Sequence, residues 1–403
     1  MSPDHKHTIS FEDALKITLS NVIRSEPERI PMMDTMGRVL AEDIFSDINM
    51  PPFNKSAVDG YACRREDISR QKPDSIFLQI VETIPAGTVP GKSITSGQCS
   101  RIMTGAMIPK GADCVIMVED TVETSKDQIR FSGRITSANI CSLGEDLRSG
   151  DKVLRKGTVV RPAHLASLAT VGAVNPMVSK LPRVGILSTG DELVEPGEKP
   201  FGSKIRNSNA CQLLAQAKSI PASTDYLGIA GDDREQLLQK IRIGLENNDV
   251  LLITGGVSMG DFDYVPEIMQ ENGIKIIFKS IAIQPGRPTV FGRKDNKFVF
   301  GLPGNPVSSF VLFEMLVKPF LLATMGCTEQ PPVIILPIGI DYSRHKSERQ
   351  SLIPVRIENG VVVPVEYHGS AHINAYTVAH GIISMAIGET EIKKGARVHV
   401  RCL

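Results

Sequence analysis

From Pro182 to about Met325 the chain alternates short apolar runs with helical stretches, an order that a parallel sheet with crossover helices accommodates. The pattern predicts strands over 183–187, 222–229, 249–253, 275–281 and 297–301, and helices over 209–217, 234–247 and 265–271. A long apolar helix is expected over 306–322. Pro319 should kink it or end it late, because proline supplies no backbone N–H. Ligands of such open sheets bind beyond the carboxyl ends of the strands, so the loops leaving these strands are the first place to look for chemistry.

Three of those loops share one make-up. They are Leu187-Ser188-Thr189-Gly190-Asp191-Glu192, Thr254-Gly255-Gly256-Val257-Ser258-Met259-Gly260-Asp261 and Gly301-Leu302-Pro303-Gly304-Asn305-Pro306-Val307-Ser308. Glycines let backbone N–H groups approach a phosphate, and the hydroxyls add donors. Asp191, Glu192 and Asp263 offer hard oxygens to a cation such as Mg²⁺. Pro306 at a first helical turn, with Ser308 behind it, leaves helix N–H groups for the same anion. One such loop alone reads equally well as a plain turn; three together favour a phosphorylated ligand with a divalent cation. In the stiff loop Gln284-Pro285-Gly286-Arg287-Pro288, Arg287 would pair either with phosphate or with a surface carboxylate.

The flanking segments differ in texture. Ser10-Phe11-Glu12-Asp13 reads as a capping box opening an amphipathic helix with Phe11, Ala14, Leu15, Leu19 and Val22 near helical spacing, and 34–47 as helix end, turn and short strand. Residues 50–142 carry short strand-like runs between Gly and Pro, which suits a small β-rich domain. Segments 1–49 and 143–181 are expected to form one discontinuous linker domain. The α/β domain is assigned to 182–329, and 330–403 to a strand-rich C-terminal β-barrel or sandwich.

Composition removes several classes of function. Lys plus Arg (45) balance Asp plus Glu (45), so bulk attraction to nucleic acid or an anionic membrane is not expected. Trp is absent and aromatics are 5%, which disfavours base-stacking platforms. The seven cysteines are scattered without a CxxC, so they read as packing thiols in a reducing compartment rather than a disulfide framework or zinc site. The eight histidines form no HxH or HExxH pattern. With no signal-peptide pattern and no apolar run approaching the roughly 20 residues of a membrane span, a cytoplasmic location is expected.

Two smaller sites lie in the β-rich segment. Asp59 precedes Gly60 in the run 51–62, where its carboxylate suits a turn cap slightly better than catalysis, and Thr104-Gly105 ends a strand at 101–106. Gly144-Glu145-Asp146 reads as a solvated turn.

Taken together, the stretches 51–62, 101–106, 144–146, 188–193, 254–264, 285–288 and 301–308, with Gly369-Ser370, make the sequence resemble the molybdopterin molybdenumtransferase family, which includes MoeA proteins and the gephyrin E domain. The resemblance implies a central three-layer α/β domain with a mostly parallel, MogA-like sheet, a small β-rich domain, an N-terminal α+β linker domain and a C-terminal β-barrel. It implies a homodimer whose cleft lies between the α/β domain of one subunit and the β-rich domain of the other. The implied substrates are adenylylated molybdopterin and molybdate. Mg²⁺-assisted hydrolysis of the adenylate accompanies metal insertion, and a molybdopterin adenylyltransferase is a candidate partner. Carried over by motif, Glu192 and Asp263, with Asp146, would serve Mg²⁺, and Asp59 would handle a proton. Thr104, Ser188, Thr189, Asp191, Asp232, Gly255, Gly256, Ser258, Pro285, Arg287, Asn305, Ser308 and Ser370 would contact substrate, while Pro303 and Pro306 shape the pterin pocket.

Two departures from the family pattern stand out. Gln284 replaces a common Lys, and Pro354 occupies a place that often holds an Arg, with Arg356 on the same strand face two residues on. Two other functions compete. A molybdopterin adenylyltransferase would resemble only the α/β region, and a gephyrin-like scaffold would bind partners without releasing AMP.

Overall fold

The computed structural model describes residues 8–69, 75–133, 137–257, 264–366, 369 and 371–403. The chain forms two compact units: Met1–Glu42, Lys156–Leu165 and Asn175–Leu403 make one, and Asp43–Arg155 with Ala166–Val174 make the other.

Helix α1 (Phe11–Ser20) begins at a cap, the Ser10 hydroxyl accepting from the Asp13 N–H at 3.0 Å. Phe11, Ala14 and Thr18 are buried, whereas Leu19 is exposed. Leu19 lies about 100° around the helix from Thr18, off the narrow stripe that packs inward. Over 34–47 the helix end is a short 3₁₀ turn, Met32–Thr35, and the strand is Ile44–Phe45. Pro27–Arg29 pairs antiparallel with Met177–Ser179, joining distant parts of the first unit.

The second unit is built on a six-stranded sheet. Its strands are β1 (Gly60–Cys63), β2 (Ile76–Ile84), β3 (Gln98–Ile102), β4 (Cys114–Met117), β5 (Thr121–Ser125) and β6 (Gln128–Phe131), in the order β4-β1-β3-β2-β6-β5. Tyr61, Leu78, Ile116, Ile129 and Phe131 fill one side. A Cβ on Gly60 would lie 2.0 Å from Ile116 O, so β1 and β4 approach where only glycine fits.

In the first unit the chain runs β7 (Arg183–Thr189), α2 (Ser208–Lys218), β8 (Ser223–Ala230), α3 (Arg234–Asn247), β9 (Val250–Thr254), α4 (Val265–Glu271), β10 (Lys275–Phe278), β11 (Val290–Lys294) and β12 (Lys297–Leu302). The sheet order is β8-β7-β9-β12-β11-β10. Alternate residues of β9 explain the layers. Val250 and Leu252 face a core with Ala210 and Leu213 of α2, and Leu251 and Ile253 face one with Leu237 of α3 and Ile268 of α4.

The first four strands are parallel, and β11 alone is reversed, pairing antiparallel with β12 on one side and β10 on the other. The strand expected at 275–281 is present over Lys275–Phe278, and the reversed strand at Val290–Lys294 is an addition to the expected set. The cause is a tight hairpin at Asp295-Asn296, with Asp295 at φ 51°, which returns the chain without a crossover helix.

Helix α5 (Pro306–Leu312) continues through a π-helical turn, Phe313–Val317, into α6 (Lys318–Thr324). Pro319 has no N–H to offer the preceding turn, and the helix widens just ahead of it instead of ending. The run Pro306–Thr324 is long and apolar enough to cross a bilayer, contrary to the expectation from composition, yet 72% of it is buried in the core.

The C-terminal strands are β13 (Val333–Pro337), β14 (Gln350–Glu358), β15 (Val361–Pro364), β16 (Gly381–Met385) and β17 (Arg397–Cys402). They run β15-β14-β16-β17-β13, and a bridge between Ile338 and Val362 closes the ring as a barrel. Ile353, Val355, Ile383 and Val400 are among its core residues. A short strand, Ile283–Gln284, pairs with Gln350–Ser351 and ties the α/β layer to the barrel.

Candidate active site

The three glycine-bearing loops meet at the carboxyl ends of β7, β9 and β12. Gly255 sits at φ 99°, and a Cβ there would lie 2.4 Å from Thr189 O. A Cβ on Gly256, at φ 61°, would lie 2.8 Å from Val265. Both positions require glycine for backbone conformation and for space. The Gly255 N–H donates to Leu302 O at 3.0 Å, and a Cβ on Gly304 would sit 3.6 Å from Gly255 Cα.

Side chains absent from the expected set hold these loops together. Asn209 Nδ2 donates to Thr254 Oγ1 at 2.9 Å and to Gly304 O at 2.7 Å, joining the second and third loops. Thr254 Oγ1 donates to Pro303 O at 3.3 Å. Asn207 caps α2, its Oδ1 accepting from the Ala210 N–H at 3.2 Å and from Ser188 Oγ at 3.0 Å. Asn207 Nδ2 donates to the Tyr226 hydroxyl at 3.0 Å, and that hydroxyl donates to Glu195 Oε1 at 2.8 Å. Burial first, then the Glu195 contact, pushes the Tyr226 hydroxyl above its ordinary range, so it remains a donor at neutral pH. The signal for the asparagines was present as Asn207-Ser208-Asn209 at a helix start. Tyr226 carried none.

Ser188 and Thr189 are buried. Ser188 is spent on Asn207, and Thr189 Oγ1 donates to Thr254 O at 3.4 Å. Both hydroxyls bind loop to loop.

The carboxylates stand at the exposed rim. Asp191 Oδ1 accepts from the Asp232 N–H at 3.0 Å, and Asp232 Oδ2 from the Asp191 N–H at 3.5 Å. Lys204 Nζ donates to Asp191 O. Glu192 folds over Gly190, where a Cβ would meet its Oε2 at 2.4 Å. The Ile205 N–H donates to Glu192 O at 2.7 Å. Asp191 and Asp232 therefore hold their two loops together, and Glu192 stands beside them on the first loop.

In the third loop Pro303 is buried and Asn305 exposed. Asn305 is the N-cap of α5, yet its side chain makes no capping bond, and Pro306 opens the helix. Helix first-turn N–H groups have no partners within the helix, so this end is left open to an acceptor. Ser308 is buried in the first turn. In the 284–288 loop, Pro285 is buried and follows a cis peptide. The N–H groups of Ile281 and Thr289 both donate to Arg287 O at 3.0 Å. The half-buried Arg287 guanidinium makes no hydrogen bond or ion pair among the described residues.

Asp59, Thr104 and Asp146 belong to the other unit. Asp59 Oδ1 accepts from the Thr104 N–H at 2.6 Å and from Thr104 Oγ1 at 2.8 Å. The backbone bond first, then the hydroxyl, holds the Asp59 carboxyl below its usual range. Such a group stays ionised at neutral pH. Asp146 is exposed in a turn whose N–H donates to Met50 O at 3.0 Å. Ser258, Asp263 and Ser370 lie outside the described residues. Arg356 pairs with Glu358 at 3.2 Å. Hollows lined by Arg242, Glu271, Lys294 and Lys297 lie at the opposite end of the parallel strands, away from the glycine loops.

Residues 9–172 match the family model for the MoeA N-terminal region (domain I and II), and 185–323 match that for a probable molybdopterin binding domain. A molybdopterin molybdenumtransferase of Staphylococcus epidermidis is 34% identical over 406 residues, covering 99% of this chain and 97% of that relative. The chain belongs to the molybdopterin molybdenumtransferase family. A Staphylococcus aureus member is 31% identical over 408 residues, again covering 99% and 97%. The crystal structure of a Pyrococcus horikoshii molybdopterin biosynthesis moeA protein superposes with a TM-score of 0.85 at 30% identity, covering 98% of this chain and all of that one. As a molybdenumtransferase family member, the chain has the expected mixed architecture: a three-layer α/β layer with a mostly parallel sheet, a small β-rich unit and a C-terminal barrel.

Proposed function

We propose that this protein inserts molybdenum from molybdate into the dithiolene of adenylylated molybdopterin, with hydrolysis of the adenylate and release of AMP. The observation that carries this reading is the convergence of three glycine loops, riveted by Asn209, beside the paired Asp191 and Asp232 loops and an uncapped helix start. Backbone N–H groups at that helix start would receive the phosphate oxygens. Pro303 and Pro306 would form a stiff wall against the pterin. Arg287, lacking a protein partner among the described residues, supplies the positive charge, and its fork geometry suits an oxyanion.

Mg²⁺ belongs to the proposal. The donor chemistry fits, because Asp191, Glu192 and Asp232 bring only hard carboxylate oxygens. Among the described residues, however, no three candidate ligands converge. Glu192 and Asp263 would hold the ion, with Asp146 as a further candidate from the sequence resemblance. When bound, the ion would neutralise charge developing on the adenylate phosphates. Asp191 and Asp232 keep the acidic loops in register through their mutual backbone bonds, and Asp59 acts as a permanent anion that fixes Thr104.

We further propose a cytoplasmic homodimer that receives its adenylylated substrate from a molybdopterin adenylyltransferase. The deciding experiment supplies purified protein with adenylylated molybdopterin, Mg²⁺ and molybdate. AMP release and reconstitution of an apo-molybdoenzyme are the expected results. Folded protein that yields neither would overturn the assignment, and ATP consumption with unmodified molybdopterin would favour the adenylyltransferase reading instead.

A further inference from the structure

The small sheet holds a row of thiols. Cys63 on β1 is opposite Cys114 across the β1–β4 ladder and opposite Cys99 across the β1–β3 ladder. All three are fully buried. Cys63 Sγ and Cys114 Sγ are 3.6 Å apart, and Cys114 Sγ is also 3.6 Å from Cys63 O. Residues directly opposed on antiparallel strands have Cα atoms about 4.5–5.5 Å apart, within the window that a disulfide spans. Side-chain rotation alone therefore brings the two sulfurs to bonding distance.

Position in the sheet separates the two thiols. Either sulfur can donate in their mutual contact, and Cys114 Sγ also reaches Cys63 O. Cys114 also opens β4, which is an edge strand, and strand ends on an edge open locally more readily than the sheet centre. Position at the strand end thus favours Cys114 as the sulfur that reacts first. A soft-metal site is not supported, because among the described residues no three candidate ligands converge.

We propose that Cys63 and Cys114 form a disulfide when the protein meets a small two-electron oxidant of the peroxide class. The Cys114 thiolate attacks one peroxide oxygen, the O–O bond breaks, and a sulfenic acid forms with release of water after protonation. The Cys63 sulfur then attacks the sulfenic sulfur. An S–S bond forms, the S–O bond breaks, and the Cys63 proton leaves with the hydroxyl as a second water. Two thiols and one peroxide become one disulfide and two waters. The cross-link staples the ladder whose other end holds the Asp59 backbone, where the Val118 N–H donates to Asp59 O at 3.2 Å.

The full-length protein is treated with hydrogen peroxide, blocked with a maleimide, unfolded and mapped without reduction. Exposed Cys211 reports that oxidant has reached the protein. The expected result is one cross-linked peptide pair, Cys63 with Cys114, lighter by two hydrogen atoms and separable by a reductant. Cys99→Ser retains the cross-link and Cys114→Ser abolishes it. Recovery of Cys63 and Cys114 as separate alkylated peptides, from samples in which Cys211 is fully oxidised, would overturn the proposal. A cross-link from Cys63 to Cys99 would overturn it as well.

Discussion

The Asp59 carboxylate is gripped by a single residue, accepting the backbone N–H of Thr104 at 2.6 Å and its hydroxyl at 2.8 Å. Both donors favour the ionised form, and they account for its lowered pKa in that order. The folded value is the depressed one. The stabilising contribution is therefore present above the ordinary carboxylate value, about 3.9, and is lost as pH falls through the folded value. A carboxyl-detected NMR titration should find Asp59 below its ordinary midpoint. Thr104→Val keeps the larger, backbone donor and should move the midpoint only part of the way back. A full return would mean that the hydroxyl dominates.

Gly255 and Gly304 should respond oppositely to alanine. At Gly255 the new Cβ meets Thr189 O at 2.4 Å and φ is 99°, so Gly255→Ala should cost roughly 2–4 kcal/mol in urea unfolding. At Gly304 the nearest atom is Gly255 Cα at 3.6 Å, an ordinary contact. Gly304→Ala should fall within about 0.5 kcal/mol of the parent while raising KM for adenylylated molybdopterin. Equal destabilisation of the two variants would contradict the geometry.

Loop chemistry proved more legible in the sequence than the sheet's edge or the roles of individual hydroxyls. Glycine at 255 and 256 follows from backbone geometry that only glycine satisfies, so a local pattern reveals it. The antiparallel turn of β11 depends on Asp295 adopting positive φ, which the alternation of apolar runs cannot signal. For Ser188 and Thr189, residue type does not tell which way a hydroxyl points. Their burial and their bonds to Asn207 and Thr254 are tertiary facts. Asn209 sits at a recognisable helix start, but its partners lie 45 and 95 residues away, so the loops it joins are a tertiary fact as well.

Asn209→Leu removes two donated hydrogen bonds and leaves the Gly304 carbonyl and the Thr254 hydroxyl each short of a partner. The expected loss is about 1–3 kcal/mol in unfolding free energy. Because those partners belong to two loops of the proposed substrate site, the variant should also weaken binding of adenylylated molybdopterin. Unchanged affinity in a folded Asn209→Leu protein would show that the loops keep their places without it.

Glu192→Gln tests the metal proposal while keeping the side chain's size. The Mg²⁺ concentration giving half-maximal AMP release should rise about tenfold or more, since a neutral amide is a poor partner for a hard cation. Asp263→Asn should act in the same direction. A Glu192→Gln protein with an unaltered Mg²⁺ midpoint would remove Glu192 from the ligand set.

Glu314 is the one acidic side chain in the apolar run from Pro306 to Val317, and only 7% of the residue is exposed. Within the π-helical turn it receives Gln216 Nε2 at 3.0 Å and pairs with Lys318 Nζ at 2.7 Å. Its backbone carbonyl takes Arg401 Nη2 from the barrel at 2.8 Å. Burial lowers the Arg401 pKa from the ordinary guanidinium range, and the nearby Glu314 charge opposes that shift. Removing one partner of a buried pair leaves a charge without its match and typically costs about 3–5 kcal/mol, whereas replacing both by neutral groups of similar volume is often harmless. Lys318→Met should therefore lose about 3 kcal/mol, the low end, because Gln216 still serves Glu314 and Arg401 lies near. Combining it with Glu314→Gln should recover most of that loss, as a double-mutant cycle in urea would measure. If the double variant is instead the sum of the two singles, Glu314 and Lys318 do not act as a pair, and the π turn is held by its packing alone.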